Sequence, residues 1–100
     1  MEIKAAIARE KGHFSVETAE LEQPNDNEVL VKITACGMCH TDLAMLNQSA
    51  PFSLPLPALL GHEGAGVVER VGKNATNLAV GDKVVMSFAF CGECDSCRAG

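Results

Sequence analysis

Turn-forming residues break this chain at such short intervals that only short elements fit between them. Gly12, the cluster Pro24-Asn25-Asp26-Asn27, the stretch around Lys73–Asn77 and the pair Gly81-Asp82 are all turn signals. Pro51, Pro55 and Pro57 make a stiff loop that no helix could cross. Between these breaks lie segments of strand character: Ile3–Ala8, Phe14–Leu21, Glu28–Ala35, Gly66–Val71 and Asp82–Ser87. The second alternates apolar and polar. In the third, Val29, Val31 and Ile33 share one face, with Lys32 and Thr34 on the other. Only His40–Asn47 has helical spacing, through Leu43, Ala44 and Leu46, with Thr41 and Asp42 suited to its N-terminus. Short strands with frequent turns predict a mainly β fold, a small and partly open barrel.

One hundred residues at 10.5 kDa make one small domain. Such a chain buries about two-thirds of its unfolded surface, a modest core. With 47% hydrophobic and 21% charged residues the composition is that of a globular chain, not a disordered one. There is no Trp, no Tyr and only four Phe, which leaves little for stacking on single-stranded nucleic acid. Thirteen acidic against eight basic residues give a net charge of −5, unsuited to a phosphate backbone. No apolar run approaches the ~20 residues of a bilayer span. The opening Met-Glu-Ile-Lys lacks the basic and apolar regions of a signal peptide. The expectation is a cytoplasmic protein with no nucleic-acid or membrane partner.

The five cysteines fall into two groups, Cys36-x-x-Cys39 and Cys91-x-x-Cys94-x-x-Cys97. A reducing compartment disfavours disulfides, so clustered thiols point to metal or redox chemistry. Cys36, after Ile33-Thr34-Ala35 in a strand-like run, reads as a core residue. The triplet has polar loop neighbours, Gly92, Glu93, Asp95 and Arg98, which do not belong to a core. Two further segments concentrate reactive side chains. Cys39-His40-Thr41-Asp42 places a thiol beside an imidazole, a hydroxyl and a carboxylate. Gly61-His62-Glu63-Gly64 places an imidazole and a carboxylate between glycines, directly after Leu59-Leu60. A zinc ion bound by Cys and His with one position open would account for both.

These segments together resemble the medium-chain zinc-dependent alcohol dehydrogenases. Gly61-His62-Glu63, with Gly66, Gly72 and Ala75 at their spacing, looks like that family's zinc-site signature. Gly37-x-Cys39-His40-Thr41-Asp42 looks like its first ligand segment, and Gly81-Asp82-Lys83-Val84 like its next barrel strand. Cys91-x-x-Cys94-x-x-Cys97 looks like the opening of its structural zinc lobe. The segments Leu54–Val68 and Val84–Cys97 are most similar to the aryl-alcohol (benzyl-type) branch.

The resemblance implies a GroES-like, partly open β-barrel over residues 1–100, with one or two short helices and the start of a zinc lobe. It implies that Cys39 and His62 are ligands of a catalytic zinc, with Glu63 beside the metal and Asp42 orienting a ligating imidazole. Thr41 would take the alcohol proton, His40 would lie near a cofactor pyrophosphate, and Phe88 on the substrate-pocket wall. Cys91, Cys94 and Cys97 would hold a structural zinc. The implied reaction is hydride transfer between a primary, aromatic alcohol or aldehyde and NAD or NADP, in a full-length homo-oligomer. The family's distal relay histidine would fall at Ala44, which has no proton to pass.

No Gly-x-Gly-x-x-Gly follows a strand, since Glu69 stands where the third glycine after Gly64 and Gly66 would be, so a Rossmann domain is not expected within these residues. The family's second catalytic cysteine and fourth structural cysteine would also lie outside them. The chain therefore reads as a catalytic-domain segment that ends within the zinc lobe and is inactive alone. Three other readings stay open. Cys36, Cys39, Cys91 and Cys94 could form a zinc-ribbon-like Cys₄ binding module. Cys36-x-x-Cys39-His40 matches the c-type haem attachment pattern, although attachment calls for export. A purely structural barrel resembling the GroES co-chaperonin would need no metal at all.

Overall fold

The computed structural model describes residues 1–49 and 53–100. Pro51, read above as part of a stiff loop, lies outside the described residues. The strands are β1 (Glu2–Glu10), β2 (His13–Glu20), β3 (Val29–Cys36), β4 (Ala58–Leu59), β5 (Gly64–Val71) and β6 (Lys83–Val85). The helices among the described residues are α1 (His40–Leu46) and α2 (Asp95–Ala99). The fold is mainly β, as the turn pattern predicts, and α1 falls on the segment with helical spacing.

β1 and β2 form an antiparallel hairpin in which Glu2 faces Glu20 and Ala8 faces Phe14. Gly12 makes the turn at φ 80°, a conformation an L side chain rarely adopts. The other edge of β1 takes the two residues of β4, giving the order β2-β1-β4. β4 was not read from the sequence, because two residues carry no periodicity.

The second sheet has the order β3-β5-β6. β5 pairs antiparallel with β3, from Val29 opposite Val71 to Cys36 opposite Gly64, and with β6 through Ala65 opposite Val85. Gly66 permits the β3–β5 approach: a Cβ there would lie 2.1 Å from the Lys32 carbonyl oxygen. β5 reaches two residues further toward its N-terminus than the sequence pattern indicated, and that extension carries it up to His62 and Glu63.

Ala5, Ala8 and Val68 are the buried apolar residues among those described. The core is thin because the two sheets flank an open cleft of about 1080 Å³. Val29, Val31 and Ile33, which share one face in the sequence pattern, line the cleft together. One expectation changes. Cys36, read as a core residue, is exposed. It is the last residue of β3, where the sheet opens into the loop leading to α1, so no layer covers its thiol.

Candidate metal centre

The end of β3 and the start of β5 bring the two reactive segments together. Cys36 pairs with Gly64, and the Gly37 N–H donates to the Glu63 carbonyl oxygen at 2.9 Å. The chain then turns into α1, and Cys39 is its N-cap, with extended backbone (φ −114°, ψ 144°). The Cys39 Sγ accepts from the Thr41 N–H at 3.5 Å. Sequence reasoning assigned Thr41 and Asp42 to this helix start but missed the cap, because cysteine is not among the usual capping residues.

From the first turn of α1, Asp42 reaches back across the junction. Its Oδ1 accepts from the Gly61 N–H at 3.2 Å and lies 3.0 Å from His62 Nδ1. An ionised carboxylate only accepts, so Nδ1 carries a hydrogen, and in the neutral ring Nε2 is left as the acceptor for a further partner. Phe88 stacks on the same ring, with centroids 5.3 Å apart and planes 18° from parallel. The His62 side chain is thus fixed from one edge by a carboxylate and across one face by an aromatic ring. The stacking contact has no sequence signal, since Phe88 stands 26 positions away.

Donor atoms of Cys39, His62 and Glu63 all lie within 4.8 Å of one another. Around one tetrahedral zinc, a sulfur and a nitrogen donor stand about 3.6 Å apart, given the usual bond lengths. Small side-chain adjustments would close this cluster on an ion, and soft sulfur with imidazole suits zinc. The electrostatics favour the ligating form of the thiol. The Thr41 hydroxyl and N–H, then His62, hold the Cys39 thiol below its ordinary value, against burial and the Glu63 charge. The contact with Cys39 raises the His62 pKa, opposed by burial and helped by Asp42. Thiolate and imidazolium therefore stabilise each other in the metal-free protein.

Cys91, Cys94 and Cys97 form a second cluster within the same 4.8 Å limit. Cys94 is the N-cap of α2, Cys97 lies within it, and Cys91 stands in the preceding loop. The Cys91 Sγ accepts from the N–H groups of Glu93 (3.4 Å) and Cys94 (3.3 Å) and lies 3.8 Å from Cys97 Sγ. These backbone donors bring the Cys91 pKa down to about 7. Cys36 belongs to neither cluster. The Cys36–Cys39–Cys91–Cys94 set of the ribbon reading is therefore not what the described residues bring together.

The remaining sequence candidates lie around the first cluster. His40 is exposed at the first position of α1. Phe88, 71% exposed, lines the open cleft together with Cys39, Asp42, Leu43, His62 and Met86. Ala44 sits in α1, where its methyl group offers nothing to a proton path. No helix among the described residues is long and apolar enough to cross a membrane.

The model of the alcohol dehydrogenase GroES-like domain matches residues 25–100. A benzyl alcohol dehydrogenase from Acinetobacter calcoaceticus is similar in structure, with TM-score 0.91 and 48% identity over 100% of this chain and 27% of its own. An alcohol dehydrogenase zinc-binding domain protein from Burkholderia ambifaria has TM-score 0.89 and 51% identity, covering 99% of this chain and 26% of its own. Geraniol dehydrogenase of Castellaniella defragrans is 44% identical over 98 residues, 97% of this chain and 26% of that relative. The chain thus spans about a quarter of the length of these relatives.

Proposed function

Because the chain belongs to the alcohol dehydrogenase GroES-like domain family, we propose that it forms the N-terminal catalytic-domain part of a zinc-dependent oxidoreductase. That enzyme transfers a hydride between a primary, aromatic alcohol and NAD or NADP. The single observation that carries this reading is the Cys39–His62–Glu63 cluster at the wall of an apolar cleft. The aromatic preference is supported by the likeness to a benzyl alcohol dehydrogenase and by Phe88 on the cleft wall.

In this reading Cys39 and His62 hold the catalytic zinc, and Glu63 stands beside it. Bound zinc supplies Lewis acidity that lowers the pKa of a hydroxyl group, and bound nicotinamide supplies the hydride acceptor. Asp42 keeps His62 in the tautomer with Nε2 free and fixes its ring direction, as carboxylates do for ligating imidazoles. Phe88 blocks one face of the ring and sets one limit of the substrate space. The Thr41 hydroxyl would take the proton from the substrate hydroxyl while passing its own onward, and His40 would lie near the cofactor pyrophosphate. Ala44 cannot carry that proton further, so it would pass to water or to another group. Cys91, Cys94 and Cys97 hold a second, structural zinc that ties down the loop before α2. The reading places the enzyme in the cytoplasm, as a homo-oligomer, with alcohols and aldehydes as its small-molecule partners.

Assay of the full-length protein on benzyl alcohol with NAD and with NADP tests this proposal. It predicts cofactor reduction that a zinc chelator abolishes. Zinc-replete protein inert toward every alcohol and aldehyde tried would overturn it.

A further inference from the structure

We propose that Gly37 is a positioning residue for Glu63, its bare backbone providing the berth that keeps the Glu63 carboxylate beside Cys39 and His62. The proposal rests on reading Cys39, His62 and Glu63 as a metal site. A Cβ on Gly37 would lie 2.8 Å from Glu63 Oε2, 3.3 Å from its Cδ and 3.1 Å from its Cβ. The side chain of Glu63 therefore occupies the space that any other residue at 37 would fill.

What stands in the way distinguishes Gly37 from Gly66 and Gly72. At Gly66 and Gly72 a Cβ would run into backbone, 2.1 Å from the Lys32 oxygen and 2.3 Å from the Asn25 oxygen. Substitution there attacks the sheet. At Gly37 the nearest obstacle is the Glu63 carboxylate, the far end of a flexible side chain that can swing away, while the Glu63 Cβ at 3.1 Å asks only for a shift of a few tenths of an ångström. Gly37 is also not one of the positive-φ glycines, so alanine meets no backbone strain. Its N–H donates to the Glu63 carbonyl oxygen at 2.9 Å, a bond that alanine keeps. Alanine thus keeps the backbone conformation and hydrogen bond at 37 and chiefly removes the room for the Glu63 side chain.

No polar partner among the described residues holds that carboxylate in place. Among the described residues it makes no ion pair and its side chain makes no hydrogen bond. Packing against the Gly37 backbone sets its position, and that position places it within 4.8 Å of the Cys39 and His62 donors.

Crystal structures of the intact protein, recorded at the zinc absorption edge, test the proposal together with zinc competition titrations. The set comprises the wild type, Gly37→Ala, Glu63→Ala and the double variant. In Gly37→Ala the β3–β5 pairing should persist while the Glu63 carboxylate swings away from Cys39 and His62. Zinc affinity at that site should fall by about 10–100-fold, the usual scale for residues that support a metal site. Glu63→Ala should lose a similar amount, and the double variant should be no weaker than either single one. A carboxylate unmoved in Gly37→Ala, or additive losses in the double variant, would overturn the proposal. Wild-type crystals with no zinc between Cys39 and His62 would instead sink the metal reading, and the carboxylate position would still decide the berth.

Discussion

Asp42 Oδ1 lies 3.0 Å from His62 Nδ1 and 3.2 Å from the Gly61 nitrogen, so one carboxylate on α1 fixes both the loop and the ring that follows it. The pairing crosses the junction between β3 and β5 and commits the imidazole to one tautomer. Asp42→Ala should therefore weaken zinc binding by about 10–100-fold. Asp42→Asn, whose amide oxygen can still accept from both N–H groups, should lose less. Competition with a chromogenic chelator measures both, and equal losses would show that charge rather than orientation governs.

Thr41 meets the site through its N–H and its hydroxyl, and Thr41→Ala removes only the second. Its N–H bonds to Cys39 Sγ and survives in Thr41→Ala, so zinc content should be largely kept although the hydroxyl that also lowers the Cys39 pKa is lost. Its hydroxyl is the proposed proton acceptor, and its loss should cut turnover by about 10²–10⁴-fold. Thr41→Ser should keep most of the rate. Steady-state kinetics alongside elemental analysis give the answer, and full activity in Thr41→Ala would leave the residue a helix-start group only.

The pH dependence of metal uptake follows from His62. Its pKa is raised above 6.5, chiefly by Cys39. The proton on His62 therefore stabilises the metal-free fold below that ordinary value, and this contribution is lost as pH rises through the raised one. Zinc competes with the same proton, so affinity should climb with pH across that window and binding should release protons. Calorimetric titrations in buffers of different ionisation enthalpy read the proton count. Binding independent of pH would contradict the prediction.

Cys91 should be the most reactive thiol of its cluster. The Glu93 and Cys94 N–H groups hold its pKa at about 7, so a large share is thiolate at neutral pH. In metal-free protein, limiting iodoacetamide should label Cys91 ahead of Cys94 and Cys97, and zinc should protect all three. Peptide mapping by mass spectrometry provides the order, and preferential labelling of Cys94 would refute it.

The strand texture was legible because Gly12, Pro24–Asn27 and Gly81-Asp82 mark real turns, and because β1, β2, β3 and β5 are long enough to show their pattern. β4 and α2 were missed, since two and five residues are too short to show a period. The site donors were legible as residue types at characteristic spacings. Their supports were not. The Phe88 ring on His62 and the space at Gly37 under Glu63 arise from pairing between distant strands, which local sequence does not encode. Cys36 was misplaced for a related reason: its strand-like neighbours are real, but burial depends on a covering layer, and the described residues place none over the end of β3.

The central claim is that Cys39 and His62 share one zinc while Cys36 takes no part. Elemental analysis of the intact protein after dialysis against a mild chelator tests this most directly, for the wild type, Cys36→Ser and Cys39→Ser. Cys36→Ser should retain the wild-type zinc content, and Cys39→Ser should lose one zinc per chain while keeping the metal held by Cys91, Cys94 and Cys97. Loss of zinc in Cys36→Ser, or full retention in Cys39→Ser, would contradict the account.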